Sequence, residues 1–130
     1  MNSVTETCVV NVPRDSVFEF LSNIENIPKW ATKFVKKLTL VDDKYKALTP
    51  MGEVFIRLDT DKKAGLIDIY AGPTEDNMTP AYMRIISLPD TSTAVMFTFF
   101  QYDSTSDTIW KIFCEWIKIE MDNIKRYFSQ

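Results

Sequence analysis

Apolar residues recur at helical spacing through the last part of the chain. Between Asp107 and Phe128 they fall on one stripe at about 100° per residue, and with their flanks they cover an arc of roughly 220°. A surface helix needs a narrower face for one core contact. The pattern therefore predicts a long terminal helix, capped by Ser106 or Asp107 and held by a concave partner. Its apolar positions are Ile109, Trp110, Ile112, Phe113, Cys114, Trp116, Ile117, Ile119, Met121, Ile124, Tyr127 and Phe128.

The chain begins with a strand pattern and then changes to a helical one. Residues 5–12 alternate between apolar and polar and predict a first strand, which Pro13 ends. The apolar spacing that follows predicts a short helix. A second short helix is predicted over 27–34, with Asn26 as its cap and Pro28 in its first turn.

Alternating segments in the middle of the chain predict an antiparallel meander. In the first long hairpin, a turn centred on Lys62 and its neighbour places Ile56 opposite Ile69 on an inward face. The same register places Arg57 opposite Asp68 outside, as a surface ion pair. The predicted strands cover 35–41, 45–49, 54–58, 67–71, 82–88 and 94–101.

The last hairpin is predicted in the same way. Ile85 lies opposite Phe97 on the inward face, and Arg84 lies opposite Thr98 outside, or at a polar end of the interior if the faces are exchanged. Residues 72–80, with two prolines, predict a mobile connection of nine residues.

This assignment leaves a large apolar set on the outer face of the sheet. So much contiguous apolar surface is unusual for a monomer. Either the sheet packs against a second copy, as a homodimer through its outer face, or the predicted register is wrong. The residues are Phe55, Tyr70, Tyr82, Ile86, Met96 and Phe100.

The segment from Val12 to Trp30, VPRDSVFEFLSNIENIPKW, resembles the N-terminal signature of the START-like superfamily (SRPBCC, polyketide cyclase/dehydrase-type). The order of predicted elements resembles that family along the whole chain. The resemblance implies an α+β helix-grip fold, in which a seven-stranded curved antiparallel sheet surrounds a long C-terminal helix and two short helices separate strands 1 and 2. We interpret residues 1–130 as a single such domain. The signature is a packing motif and contains no catalytic residue.

Composition excludes several classes of function. A net charge of -3 disfavours a nucleic-acid partner. No apolar run has the length of a membrane span and no signal peptide is visible, so a cytoplasmic location is expected. The absence of histidine removes imidazole-based catalysis and most metal sites, and the scattered glycines form no phosphate loop. We predict no metal, no cofactor, and buried reduced thiols at Cys8 and Cys114.

The apolar interior has two interpretations. From the pattern alone, aromatic residues at strand and helix spacing indicate a packed core. The resemblance implies instead an internal pocket for a lipid, polyketide or other apolar molecule. The residues predicted to line it are Trp30, Phe34, Ile56, Leu58, Ile69, Ile85, Phe97, Phe99, Phe113, Ile117 and Glu120.

Glu120 interrupts the apolar arc of the terminal helix. A carboxylate in that position must find a partner, reach the mouth of a cavity or have a raised pKa. It could orient a ligand or act as an acid or base. Alternatively it could pair with Arg57 or Arg84, or lie exposed where the sheet ends.

These features favour non-catalytic binding of a small hydrophobic molecule. An enzyme of the cyclase or dehydratase kind is an alternative, with Glu120, Tyr82 and Arg84 as its only candidate participants. A protein-interaction domain that uses the outer sheet face or residues 72–80 is a third.

Overall fold

A computed structural model describes all 130 residues of the chain. A 3-10 turn, Ile24–Asn26, precedes the second helix. The helices are α1 (Arg14–Leu21), α2 (Ile27–Trp30) and α3 (Asp107–Tyr127). The strands are β1 (Ser3–Val10), β2 (Lys37–Val41), β3 (Lys44–Thr49), β4 (Gly52–Asp61), β5 (Leu66–Thr74), β6 (Asn77–Ser87) and β7 (Thr93–Phe100).

All seven strands belong to one antiparallel sheet with the order β1-β7-β6-β5-β4-β3-β2. Helix α3 packs against β1 and α2, and α1 packs against β6. The predicted α+β helix-grip architecture is confirmed, including the two short helices between the first two strands. None of the three helices combines the length and apolar content that crossing a membrane requires.

Helix α3 forms where its apolar periodicity predicts. The Ser106 hydroxyl caps it by accepting a hydrogen bond from the Ile109 amide at 3.2 Å. Ile117, Met121 and Ile124 are buried in the core cluster. The C-terminal half of the helix is thus anchored by packing, which leaves its N-terminal half to face other elements.

The second short helix is shorter than predicted. It ends at Trp30, because Ala31 has ψ 51° and leaves the helical region. The expected cap is also absent: the Asn26 side chain donates to the Phe20 carbonyl at 3.0 Å and makes no cap bond. Residues 31–36 therefore form an irregular segment. The amides of residues 31, 35 and 36 bond to backbone carbonyls, whereas those of Lys33 and Phe34 bond to a side chain of another element.

The pairing of β4 with β5 differs from the prediction by two residues. Ile56 pairs with Ala71, so the predicted pairing with Ile69 is wrong. The turn lies further along the chain than expected because the Asp61 carboxylate binds the amide three residues later, at 3.1 Å, and Gly65 takes a left-handed φ of 70°. A displacement of two residues returns every side chain to the same face. The predicted inward face is therefore correct.

The last hairpin is also displaced by two residues, in the opposite direction along the chain. Ile85 pairs with Val95 and not with Phe97, while Arg84 remains on the outer face opposite Met96. The predicted Arg84–Thr98 pair is wrong, because Tyr82 lies opposite that threonine.

Residues 72–80 are not a long loop. Strand β5 continues to Thr74 and β6 begins at Asn77, so only a two-residue turn separates them. Pro73 falls in an irregularity of the β5–β6 register, where no ladder donor is required. Pro80 precedes the β6–β7 pairing, which begins only at Tyr82.

On the outer face, Arg57 does not pair with Asp68. Its guanidinium lies 3.4 Å from the Asp59 carboxylate and 4.2 Å from the centroid of the Tyr70 ring. Asp68 lies opposite Asp59, and its pKa is raised by burial and by that second carboxylate. The predicted ion pair is therefore replaced by a stacked arginine.

Candidate ligand-binding cavity

A cavity of about 400 Å³ lies between the curved sheet and the N-terminal half of α3. Helix α2 and the segment after it form one wall, the inner faces of β4 to β7 form a second, and residues of the β7–α3 connection line one end. Exposed side chains of Met51, Asn77 and Ser104 belong to the lining and mark where it approaches solvent. Its volume is within the usual range for small-molecule sites.

Six aromatic rings form a connected wall. Trp30 meets Phe97 edge-on at 5.6 Å between centroids, and Phe97 meets Phe99 at 4.7 Å. Phe99 continues to Phe113 at 6.1 Å. Phe113 then contacts two further rings, Phe34 and Trp116. Such edge-to-face contacts hold the rings in place, so an apolar surface with a defined shape is presented to the cavity.

Eight of the predicted site residues come together around this cavity. Three do not reach it: Leu58 lines a separate groove, while Ile85 and Ile117 are buried in the core. The eight are Trp30, Phe34, Ile56, Ile69, Phe97, Phe99, Phe113 and Glu120.

Several lining residues were not predicted. Ala71 and Ala81 lie on the inner face of β5 and β6, and their small side chains leave the space that larger residues would fill. Alanines between large apolar residues on an inward face were the available signal. Thr79, Tyr102 and Thr105 carried no periodic signal, because their positions depend on the hairpin and on the β7–α3 connection.

Glu120 is buried at the end of this cavity, with 2% of its surface exposed. Its Oε2 accepts hydrogen bonds from the backbone amides of Lys33 at 3.2 Å and Phe34 at 3.1 Å. Oε1 accepts no hydrogen bond from the protein. Neither Arg57 nor Arg84 pairs with it, so the predicted ion pair and the predicted exposure are both wrong.

Burial raises the pKa of the Glu120 carboxyl from 4.5 to about 7. The two backbone hydrogen bonds and the positive charge of Lys36 act in the opposite direction, and burial exceeds them. The carboxyl group therefore exchanges its proton near neutral pH, and the backbone amides bind its oxygen in either state.

A second side chain of α3 holds the same segment. Asn123, one turn beyond Glu120, donates from Nδ2 to the Trp30 carbonyl at 3.0 Å and to the Thr32 hydroxyl at 2.9 Å. The wall formed by residues 31–36 is thus attached to α3 by two polar side chains as well as by packing.

Two other polar groups of the lining differ in their hydrogen bonding: one has a partner within the protein and the other has none. The Tyr102 hydroxyl donates to the Pro80 carbonyl at 2.8 Å, and burial raises its pKa. The indole Nε1 of Trp30 is buried without a hydrogen-bond partner. No basic side chain lines the cavity.

No cluster of three or more His, Cys, Asp or Glu side chains could hold a metal ion. Both cysteines are free thiols, Cys8 buried and Cys114 half-buried. Burial raises the pKa of the Cys8 thiol to about 11.

Comparison with known proteins gives similarity at the level of structure only. No protein-family model matches the sequence, and no curated protein is similar to it. Among solved structures, XoxI from Bacillus cereus superposes with a TM-score of 0.76 at 12% identity, covering 100% of this chain and 97% of that one.

Two further structures have the same architecture. The ZhuI aromatase/cyclase of a Streptomyces species has a TM-score of 0.74 at 14% identity, covering 98% of this chain and 93% of its own. A START superfamily protein from Mycobacterium smegmatis has a TM-score of 0.68 at 12% identity, covering 98% and 97%. The chain therefore has the START/SRPBCC-like helix-grip fold.

Proposed function

We propose that the protein binds a small hydrophobic molecule, of lipid or polyketide-like character, in the cavity between the sheet and α3, without catalysing a reaction. The observation that carries this proposal is the cavity of about 400 Å³ with its connected aromatic wall. Apolar pockets with few polar groups are typical of small-molecule sites. Burial of a ligand there would remove apolar surface from water on both partners.

Filling the cavity tests this proposal. Ala81 lies in the lining on the inner face of β6, and Ala81→Met would occupy part of the volume without displacing a packed side chain. We expect the neutral fluorescent probe N-phenyl-1-naphthylamine to bind the wild-type protein and to bind this variant at least about tenfold more weakly, a loss of about 1.4 kcal/mol.

Ala64→Met is the matched control. Ala64 is exposed in the β4–β5 turn, so the same side chain is added where it meets only water. We expect the control to bind the probe as the wild-type protein does. Equal binding by all three proteins, or none by the wild-type protein, would contradict a ligand site in this cavity.

A second candidate function is that of a cyclase or dehydratase acting on such a ligand. Glu120 favours it, since a carboxyl with a pKa of about 7 in a mainly apolar cavity is suited to proton transfer. Tyr82 and Arg84, the other predicted participants, lie on the outer face and outside the cavity lining. Proton transfer would thus depend on Glu120 alone, so we rank this function second.

A homodimer through the outer sheet face stays a prediction. Of the apolar residues expected there, Tyr82 is 39% exposed, and Lys46 and Arg57 lie over the rings of Phe55 and Tyr70. Light scattering would give twice the chain mass for such a dimer, whereas the mass of one chain would contradict it.

A further inference from the structure

The charged groups around the cavity restrict the chemistry of its ligand. Glu120 is the single acidic side chain in the lining, and no lysine or arginine accompanies it. Lys36 is the cation whose charge acts on the carboxyl, but it does not belong to the lining and its Nζ donates to the Thr32 carbonyl at 3.0 Å. Above pH 7 the interior therefore carries a net negative charge.

The two oxygens of this carboxyl are not equivalent. Oε2 is held by the amides of Lys33 and Phe34, and Oε1 has no partner from the protein. Oε1 is not among the fully enclosed atoms that lack a partner, so it is accessible from the cavity. A ligand that covered it without supplying a donor would leave a buried carboxylate oxygen unpaired, which is costly. A donor on a bound molecule would remove that cost. The polar group at this end of the ligand should therefore be a hydrogen-bond donor, and it should lie next to Oε1.

The same arrangement disfavours an anionic ligand. Glu120 already occupies the two adjacent amides of residues 33 and 34. The donors that remain in the lining, such as the indole Nε1 of Trp30, are neutral. An incoming anion would lose its hydration, find no cation in the lining, and face the negative charge of Glu120.

We infer that the ligand is an apolar, mainly aromatic molecule whose polar end is a hydrogen-bond donor, a protonated amine or a hydroxyl, directed at Oε1 of Glu120, and that molecules ending in a carboxylate are excluded. This inference rests on the proposed function, because it specifies the ligand of the same cavity. Glu120 is thereby a specificity-determining residue.

Three probes that share one ring system test this selectivity. 2-Naphthylmethylamine, 2-naphthylmethanol and 2-naphthoate differ mainly in the polar end, and at pH 8 the first is largely cationic and the last anionic. Isothermal titration calorimetry on the wild-type protein should give the amine at least about tenfold tighter binding than the carboxylate, with the alcohol between them. This ranking needs no variant.

The Glu120→Gln variant tests whether the selectivity between the probes depends on Glu120. The amide oxygen of glutamine can still accept from the amides of residues 33 and 34, and the negative charge is lost. We expect the difference between amine and carboxylate to shrink to about threefold or less in this variant, once circular dichroism has shown that it is folded. Glu115→Gln removes the same charge from an exposed position of α3 and should leave the ranking unchanged.

The outcomes separate this inference from the function on which it rests. If the carboxylate binds as tightly as the amine, or if Glu120→Gln keeps the wild-type ranking, the inference is overturned. If none of the three probes binds while N-phenyl-1-naphthylamine does, the inference falls and the cavity remains a binding site. If that neutral probe also fails to bind, both fall.

Discussion

Glu120 determines the character of the cavity at the scale of single residues. Its position in an apolar arc costs free energy when the carboxyl is ionised, because burial outweighs two backbone hydrogen bonds and the charge of Lys36. Because ionisation of this buried carboxyl costs free energy, the stability of the folded protein should depend on pH.

The contribution of Glu120 to the stability of the wild-type protein should fall as pH rises from 4.5 to 7. The folded state holds the Glu120 proton up to about pH 7, whereas the unfolded chain releases it near 4.5. Unfolding thus releases a proton in this window, and the free energy of unfolding decreases by up to about 3 kcal/mol, at about 1.4 kcal/mol per pH unit. Above pH 7 this contribution is constant.

Urea denaturation of wild-type protein and of Glu120→Gln across pH 4.5 to 8 measures the effect. As pH rises, the free energy of unfolding of the wild-type protein should decrease relative to that of the variant by up to about 3 kcal/mol. Glu115→Gln should follow the wild-type curve, because Glu115 is exposed. Parallel curves for wild type and Glu120→Gln would show that this carboxyl is not buried in the folded protein.

The sequence located Glu120 but not its partners. Helical periodicity placed the carboxylate inside an apolar arc, and the cost of burial required a partner or a raised pKa. Its hydrogen bonds come from backbone amides of an irregular segment. The pattern of side chains along the sequence does not predict which backbone amides of such a segment lack a backbone partner. Arginines were therefore the only partners that the sequence offered.

At the scale of elements, the β4–β5 turn joins its own two strands and also contacts two other elements. The Gly65 carbonyl accepts from the Ile85 amide at 2.8 Å, and the Arg14 guanidinium donates to the Lys62 carbonyl. The turn is thus packed against β6 and α1. A Cβ atom added at Gly65 would clash with the Ile85 carbonyl oxygen, and the residue has φ 70°.

Gly65→Ala should lower the free energy of unfolding by more than about 2 kcal/mol, because it adds both a left-handed backbone penalty and a clash with the backbone of β6. Urea denaturation measures this loss. Ala64→Gly, at the exposed neighbouring position, should cost no more than about 1 kcal/mol. Similar losses for the two variants would contradict the close contact between this turn and β6.

Faces were easier to predict than registers. The alternation of apolar and polar residues assigned Ile56 and Ile85 to the inner face correctly, whereas both hairpin registers differ by two residues. Such a displacement preserves the face, so apolar alternation cannot detect it. The turns decided it, through the Asp61 side chain and the left-handed residues Gly65 and Thr91.

At the scale of the whole molecule, the apolar arc of α3 predicted a concave partner for this helix. The resemblance of residues 12–30 and of the order of elements to the START-like superfamily implied the helix-grip fold. The arc has different surroundings along the helix, and two of its flanking residues, Ile119 and Tyr127, are each 40% exposed. Near the C-terminus it is buried in the core through Ile117, Met121 and Ile124, and near the N-terminus Phe113 and Trp116 line the cavity.

The sequence could not predict how large a space remains between sheet and helix. Apolar residues that fill a core and apolar residues that line a cavity follow the same spacing. The difference lies in small residues such as Ala71 and Ala81 and in the distance at which Glu120 and Asn123 hold the segment after α2.

Native mass spectrometry of the protein purified from its own cells tests the central claim most directly. We predict a species heavier than the chain by the mass of one small molecule, present in wild-type protein and in Ala64→Met and reduced in Ala81→Met. Release of that molecule into organic solvent should yield a compound that is largely apolar. Only the mass of the bare chain, in protein that also fails to bind N-phenyl-1-naphthylamine, would contradict the claim that this cavity is a ligand site.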